Sequence, residues 1–263
     1  MTENNDKNAI FDEIGDDEEF SKRYGEQIGC GMTAVIYARD GIVAKVYHEG
    51  QYKTCGFQEA YTLSIVEASG IPAPKVHGVE EFHGRTVVLM NQVRGDSLLD
   101  LMLKDQERID EYLDMLVKLQ TEMHAIESWV FRPLRMLLKT NISFSPGLEP
   151  EEKKRLTTML SKFPDEFYLC HGDFHGGNIL YDGESYHIID WMDVCSGSPA
   201  GDACRTYLDY CMFQKDIAEK YLGKYSAASG KNREEILAWL PVVAGAVYGY
   251  LSNEGKKIVR PYF

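Results

Sequence analysis

Apolar and polar positions alternate in short runs through the first ninety or so residues and change to helical spacing from about Asp96 onward. Tyr24–Ala38 sets Gly25, Gly29 and Gly31 ahead of the alternating run Ala34-Val35-Ile36-Tyr37, which predicts a strand–turn–strand hairpin. Gly41–Tyr47 predicts a further strand, apolar around Lys45. Gln51–Ser69 carries Phe57, Ala60, Tyr61, Leu63, Ile65 and Ala68 at helical spacings and predicts a helix. Pro72 and Pro74 exclude a helix from the connector that follows. Val76–Phe82 and Arg85–Met90, turned at His83-Gly84, predict a second hairpin. The sum is a small antiparallel lobe with one helix.

The remainder is mainly helical. Asp96 or Ser97 can cap Leu98–Lys104, and Asp110–Ile126 lines up Leu113, Leu116, Val117, Leu119 and Met123 as a core stripe. His124, near the end of that helix, reads as a helix-terminal polar residue. Trp129–Leu138 is apolar, Pro146–Pro150 interrupts the chain, and Glu151–Lys162 predicts a helix. Residues 202–226 and 233–253 predict two long helices with Tyr207, Leu208, Tyr210, Phe213, Tyr221, Trp239 and Val243 among the buried positions. Pro241 should kink or split the second. Residues 1–20 are polar and acidic and read as a mobile start.

One stretch breaks the helical pattern and carries the chemistry: YLCHGDFHGGNILYDGESYHIIDWMD, Tyr168–Asp193. Tyr168–Cys170 reads as a short strand, His171–Asn178 as a turn-rich loop, and Ile179–Tyr181 and His187–Ile189 as strands joined at Asp182-Gly183. Asp173 can accept a proton from a hydroxyl, and Asn178 and Asp190 can offer oxygen ligands to Mg²⁺. Those are parts of a phosphoryl-transfer site. Taken singly they have plainer readings: an Asp in a Gly-rich loop forms turns, and an Asp after a strand caps helices. No His-x-x-x-His or Glu-x-x-His spacing points to zinc or iron, and His175 and His187 have no assigned role.

His171-Gly172-Asp173, four residues and Asn178, followed by Ile188-Ile189-Asp190-Trp191, resemble the catalytic loop and metal-binding strand end of the aminoglycoside phosphotransferase family. The resemblance runs from about residue 24 to about residue 250. It implies an α+β, bilobal protein-kinase-like fold: a nucleotide-binding lobe over 1–92 and a helical lobe over 93–263 with the catalytic loop and acceptor site. It implies ATP, with GTP also compatible, and Mg²⁺ between the lobes. Asp173 would be catalytic, and Asn178 and Asp190 would hold the metal. Gly29 and Gly31 would approach phosphates, although Ala34 replaces a third glycine. Lys45, paired with Glu59, would neutralise phosphate oxygens. Met90, Asn91 and Val93 would line the hinge and adenine pocket. His171 and Asp202 would support the loop.

The rest narrows partners. A formal charge of −13 over 263 residues disfavours nucleic acid and anionic membrane as partners and suits a cationic acceptor, though solubility alone explains an acidic chain. The six scattered cysteines read as free thiols, and no signal-peptide pattern or membrane-length apolar run is present, so a cytoplasmic monomer or weak homodimer is expected. The expected activity is transfer of a γ-phosphoryl group to a hydroxyl of a small molecule, an aminoglycoside-like antibiotic or another polyhydroxylated metabolite. Choline, homoserine and sugars are alternative acceptors. A catalytically silent nucleotide-binding module is the alternative from another class. A protein kinase is disfavoured, because the stretch after Asp193 is short for an activation loop and no Ala-Pro-Glu follows.

Overall fold

In the computed structural model, residues 18–31 and 33–263 are described. The acidic run up to Asp17 lies outside them, as does Met32 in the Gly-rich turn. Glu18–Tyr24 forms a helix, α1, where a loose start was expected. Its Phe20 is buried against Tyr37 and lies edge-on to Phe82 at 5.1 Å. Burial of one large aromatic ring offsets the ordering of a short polar segment.

The chain divides into two compact units, the first ending at Arg94 and the second beginning at Gly95. The first is built on a five-stranded antiparallel sheet: β1 (Glu26–Cys30), β2 (Ala34–Arg39), β3 (Ile42–Tyr47), β4 (Val76–Phe82) and β5 (Arg85–Asn91). The spatial order is β1-β2-β3-β5-β4, so β3 is central, and Lys45 pairs with Ile36 on one side and Val88 on the other. Asp40-Gly41 and His83-Gly84 have positive φ at both positions, as two-residue hairpin turns require. Helix α2 (Lys53–Ala68) buries Gly56, Glu59, Thr62, Leu63 and Val66. The apolar spacing had pointed to a face with Phe57 and Tyr61, but these rings are 53% and 55% exposed. The face is chosen by fit: a Cβ on Gly56 would lie 2.5 Å from Thr86 Cγ2. Only a bare glycine brings the helix so close to β5.

In the second unit, α3 (Leu98–Lys104) starts from a Ser97–Asp100 capping box. Helices α4 (Ile109–His124), α5 (Leu134–Phe144) and α6 (Pro150–Leu160) follow. Trp129, expected within an apolar element, lies before α5, is 67% exposed and stacks on Phe167. Strands β7 (Tyr168–Cys170) and β10 (Cys195–Gly197) pair antiparallel, as do β8 (Ile179–Tyr181) and β9 (Tyr186–Ile188), with β6 (Asp96–Ser97) on the outer side of β8.

The two long helices expected over 202–226 and 233–253 are four shorter ones, α7 (Pro199–Phe213), α8 (Lys215–Ser229), α9 (Arg233–Leu237) and α10 (Leu240–Val247), and a further helix, α11 (Asn253–Val259), follows. Gln214 is extended (φ −158°, ψ 114°) and ends α7, leaving Phe213 48% exposed. Pro241 stands in the first turn of α10, where its missing N–H costs nothing, so the second predicted helix splits. Among the described residues no helix is long and apolar enough to cross a membrane. The six cysteines are free thiols.

Candidate functional site

The loop after β7 is tied down residue by residue. Gly172 has φ +83°, and a Cβ there would lie 2.2 Å from the Asp193 carbonyl oxygen, so no side chain fits. The His171 ring is fully buried. Its Nε2–H donates to the Ile189 carbonyl (2.9 Å), and its Nδ1 accepts from the Asp173 N–H (3.3 Å). Burial holds this imidazole below its ordinary pKa, and both hydrogen bonds suit the neutral ring. Asn178 donates Nδ2–H to the Asp173 carbonyl (2.9 Å), and its own carbonyl accepts from the Ile189 N–H (2.9 Å). The segments carrying Asp173, Asn178 and Asp190 are thereby linked. Asp190 lies two residues past β9 in a left-handed conformation (φ 60°, ψ 60°), a strained backbone for a non-glycine residue.

The Asp173 side chain meets a guanidinium and an imidazole. Arg205 donates Nη2–H to Oδ1 (2.8 Å), and His175 Nε2 stands 3.6 Å from Oδ2. Burial alone would raise this carboxyl, but His175 and Arg205 outweigh it and hold it well below the usual carboxylate range. Asp193 goes the other way: crowding by protein, and then the charge of Asp173, push its carboxyl up. Asp193, Arg205, Gly172 and Tyr250 floor a recess of the second unit whose walls include Leu134, Leu138, Val243 and Val247.

Helix α7 is what grips the loop. Asp202 Oδ1 accepts from the Gly172 N–H (2.7 Å), and Thr206 donates to the Phe174 carbonyl (2.7 Å). The Tyr210 hydroxyl accepts from the Gly176 N–H (3.2 Å). Positions 202, 205, 206 and 210 share one helix face, and they take up residues 172, 173, 174 and 176 in order. Asp202 Oδ2 is 3.0 Å from His124 Nε2, and His124 Nδ1 is 2.7 Å from the Tyr225 hydroxyl. His124 is therefore a buried link rather than the polar helix end it resembled in the sequence. Against the upward push of burial, His124 and the Gly172 N–H hold the Asp202 carboxyl below its ordinary range. Among the described residues, His124, Cys170 and Asp202 are a buried trio of metal-type donors within 4.8 Å of one another. The hydrogen bonds just described already occupy both Asp202 oxygens.

Arg205 and Thr206 are not singled out in the sequence, Tyr210 reads there only as a buried position, and His124 only as a helix end. For the three on α7 a signal is present: polar or hydroxylated residues at helical spacing from the candidate brace Asp202.

In the first unit, Lys45 Nζ donates to Glu59 Oε1 (2.7 Å), and the Tyr47 hydroxyl donates to Glu59 Oε2. Lys45 and Tyr47 are two apart on β3 and share a face; Glu59 projects from the buried side of α2 and is 4% exposed. Gly29 lies in β1 beside a register shift, and the Gly31 N–H donates to the Ala34 carbonyl (2.9 Å). Met90 is buried in β5. Asn91 ends that strand with its N–H on the Lys75 carbonyl (2.9 Å), and Val93 follows, half-buried.

The fold is that of the protein-kinase-like small-molecule phosphotransferases. A family model described as the phosphotransferase enzyme family (APH) matches residues 31–239, and the chain belongs to that family. It is thus a small-molecule phosphotransferase. No curated protein matches the sequence. Among solved structures, a thermostable mutant of aminoglycoside phosphotransferase APH(4)-Ia, in ternary complex with AMP-PNP and hygromycin B, is similar with a TM-score of 0.66 at 14% identity, covering 92% of this chain and 96% of that one. Choline kinase LicA from Streptococcus pneumoniae gives 0.67 at 16%, covering 93% and 95%. An aminoglycoside-3'-phosphotransferase of type VIII gives 0.62 at 17%, covering 84% and 91%.

Proposed function

We propose that the protein transfers the γ-phosphoryl group of ATP to a hydroxyl of a small, polyhydroxylated and cationic acceptor. The observation that carries this reading is the linkage of Asp173, Asn178 and the Asp190 segment through the Asn178 amide and the Ile189 N–H. It gives one carboxylate for the acceptor and two oxygen donors for a metal on a single braced loop system.

In the transfer, the bond between the γ-phosphorus and the β–γ bridging oxygen breaks, and a bond from phosphorus to the acceptor oxygen forms. ADP leaves, and the hydroxyl proton passes to Asp173 or through it to water. Most of the acceleration comes from orientation, so the fixed loop matters more than the basicity of a carboxylate held so low. Asn178 and Asp190 fit Mg²⁺ by donor type: Asn178 has its Nδ2 engaged with Asp173, leaving its amide oxygen for a hard cation. When bound, Mg²⁺ neutralises charge on the phosphates. In the first unit, Lys45, held by Glu59, has the charge to neutralise phosphate oxygens, with Gly29 and Gly31 as candidate phosphate contacts and Met90, Asn91 and Val93 as candidate base contacts. The formal charge of −13 over the chain suits a cationic acceptor.

The test is an ATP-consumption screen with Mg²⁺ against aminoglycosides, choline, homoserine and simple sugars. The expected result is ADP release dependent on at least one aminoglycoside-like alcohol. Thermal stabilisation by nucleotide with no turnover on any of them would favour a silent binding module instead.

A further inference from the structure

Arg205 is the residue of the loop-gripping face that touches the side chain of Asp173 rather than the loop backbone. Its guanidinium donates to Asp173 Oδ1 at 2.8 Å and also contacts Asp209, one helical turn on. The Arg205 side chain is 14% exposed, against 29% for Asp173. It rises from the middle of a rigid helix whose neighbouring positions, Asp202 and Thr206, fix residues 172 and 174 on either side of Asp173. A planar fork can serve two carboxylates at once in fixed directions, and an ammonium cannot reproduce that geometry.

We propose that Arg205 is a positioning residue for phosphoryl transfer: by occupying Oδ1 of Asp173 it sets the carboxylate plane and turns Oδ2, which His175 Nε2 faces only at 3.6 Å, toward the acceptor hydroxyl. Asp209, in contact with the same guanidinium, keeps it from turning away. The inference rests on the reading of Asp173 given above. A surface ion pair with no part in the reaction would contribute little and would leave turnover untouched.

The experiment is a double-mutant cycle of Arg205→Gln and Asp173→Asn on the full chain, read as phosphate release from ATP and Mg²⁺ with water as acceptor, and as ADP release with hygromycin B and choline as probe alcohols. Misplacement of a reacting group by about 1 Å costs on the order of 100-fold, so Arg205→Gln should lower kcat by about that factor while KM for ATP stays unchanged. In the Asp173→Asn background the same substitution should add nothing. Wild-type kcat in Arg205→Gln overturns the inference, and so does an equal loss in both backgrounds, which marks a general structural effect. Should the glutamine variant fail to fold, Arg205→Lys decides: it keeps the charge without the fork, and an undiminished kcat sinks the proposal. Full turnover in Asp173→Asn, or none in the wild type, removes the underlying reading of the site instead.

Discussion

The two units hold their polar machinery in different ways. In the first, two side chains fix each other: Lys45 and Glu59, 13% and 4% exposed, meet across a strand and a helix with Tyr47 as a third member. In the second, a loop of little regular structure is held along its backbone by one face of α7, with His124 and Tyr225 behind the first contact. The first arrangement is a point and the second is a line. A point can fail through one substitution, whereas a line distributes its contacts and governs a whole segment.

The sharpest test of this contrast concerns chemistry. Asp173→Asn should reduce turnover by about 10²–10⁴-fold, the usual range for a positioned proton acceptor, and leave ATP affinity near wild type by calorimetry. An equal loss of nucleotide affinity would mean that the line also serves nucleotide binding, and the division of labour between the units would collapse.

Next come the anchors. Asp202→Ala leaves a buried His124 and the Gly172 N–H without their acceptor. It should cost about 3–5 kcal/mol in denaturant unfolding, as for a broken buried pair, and it should lower turnover through the displaced loop. Lys45→Met strips the cation from a nearly buried Glu59. It should cost about 3 kcal/mol and weaken ATP binding without altering hydrogen-exchange protection at residues 171–178. A change in protection there would erase the distinction between the two devices.

The smallest effect is the dependence on pH. The His171 ring is held below its ordinary pKa of about 6.5 by burial. As pH falls through that value the unfolded chain takes up a proton that the folded chain refuses, so stability drops on the acid side. The urea midpoint should therefore fall between about pH 7 and pH 5, and His171→Asn should flatten that limb. Asp202, held low in the fold, adds stability above the ordinary carboxylate range and loses it only at lower pH. A flat midpoint down to pH 5 would detach His171 from the brace.

What the sequence discloses follows from how local each cause is. The motif His171-Gly172-Asp173 with Asn178, and Asp190 after two isoleucines, is legible because a tight loop and a strand end dictate their own residues. The hairpins over β1–β2 and β4–β5, and the strand β3, are legible from period and turn residues. The buried face of α2 is not, because Gly56 against Thr86 and Glu59 beside Lys45 select it, and neither contact leaves an apolar stripe. The burial of His124 is hidden for the same reason: its partners lie 78 and 101 residues further along. Arg205 reads as an ordinary helix cation until the loop is folded against it. Pro241 shows a weaker case, since the break is evident in the sequence but the extra stop at Gln214 is not.

Gly172 has a last consequence, for anyone who would vary this enzyme. The space its missing side chain would need is taken by the Asp193 carbonyl oxygen. A library randomised at that codon and selected for activity should return a single amino acid, while the neighbouring Phe174 and His175 codons yield several. The position just ahead of Asp173 would then act as a lock on redesign, and useful variation would have to come from other positions.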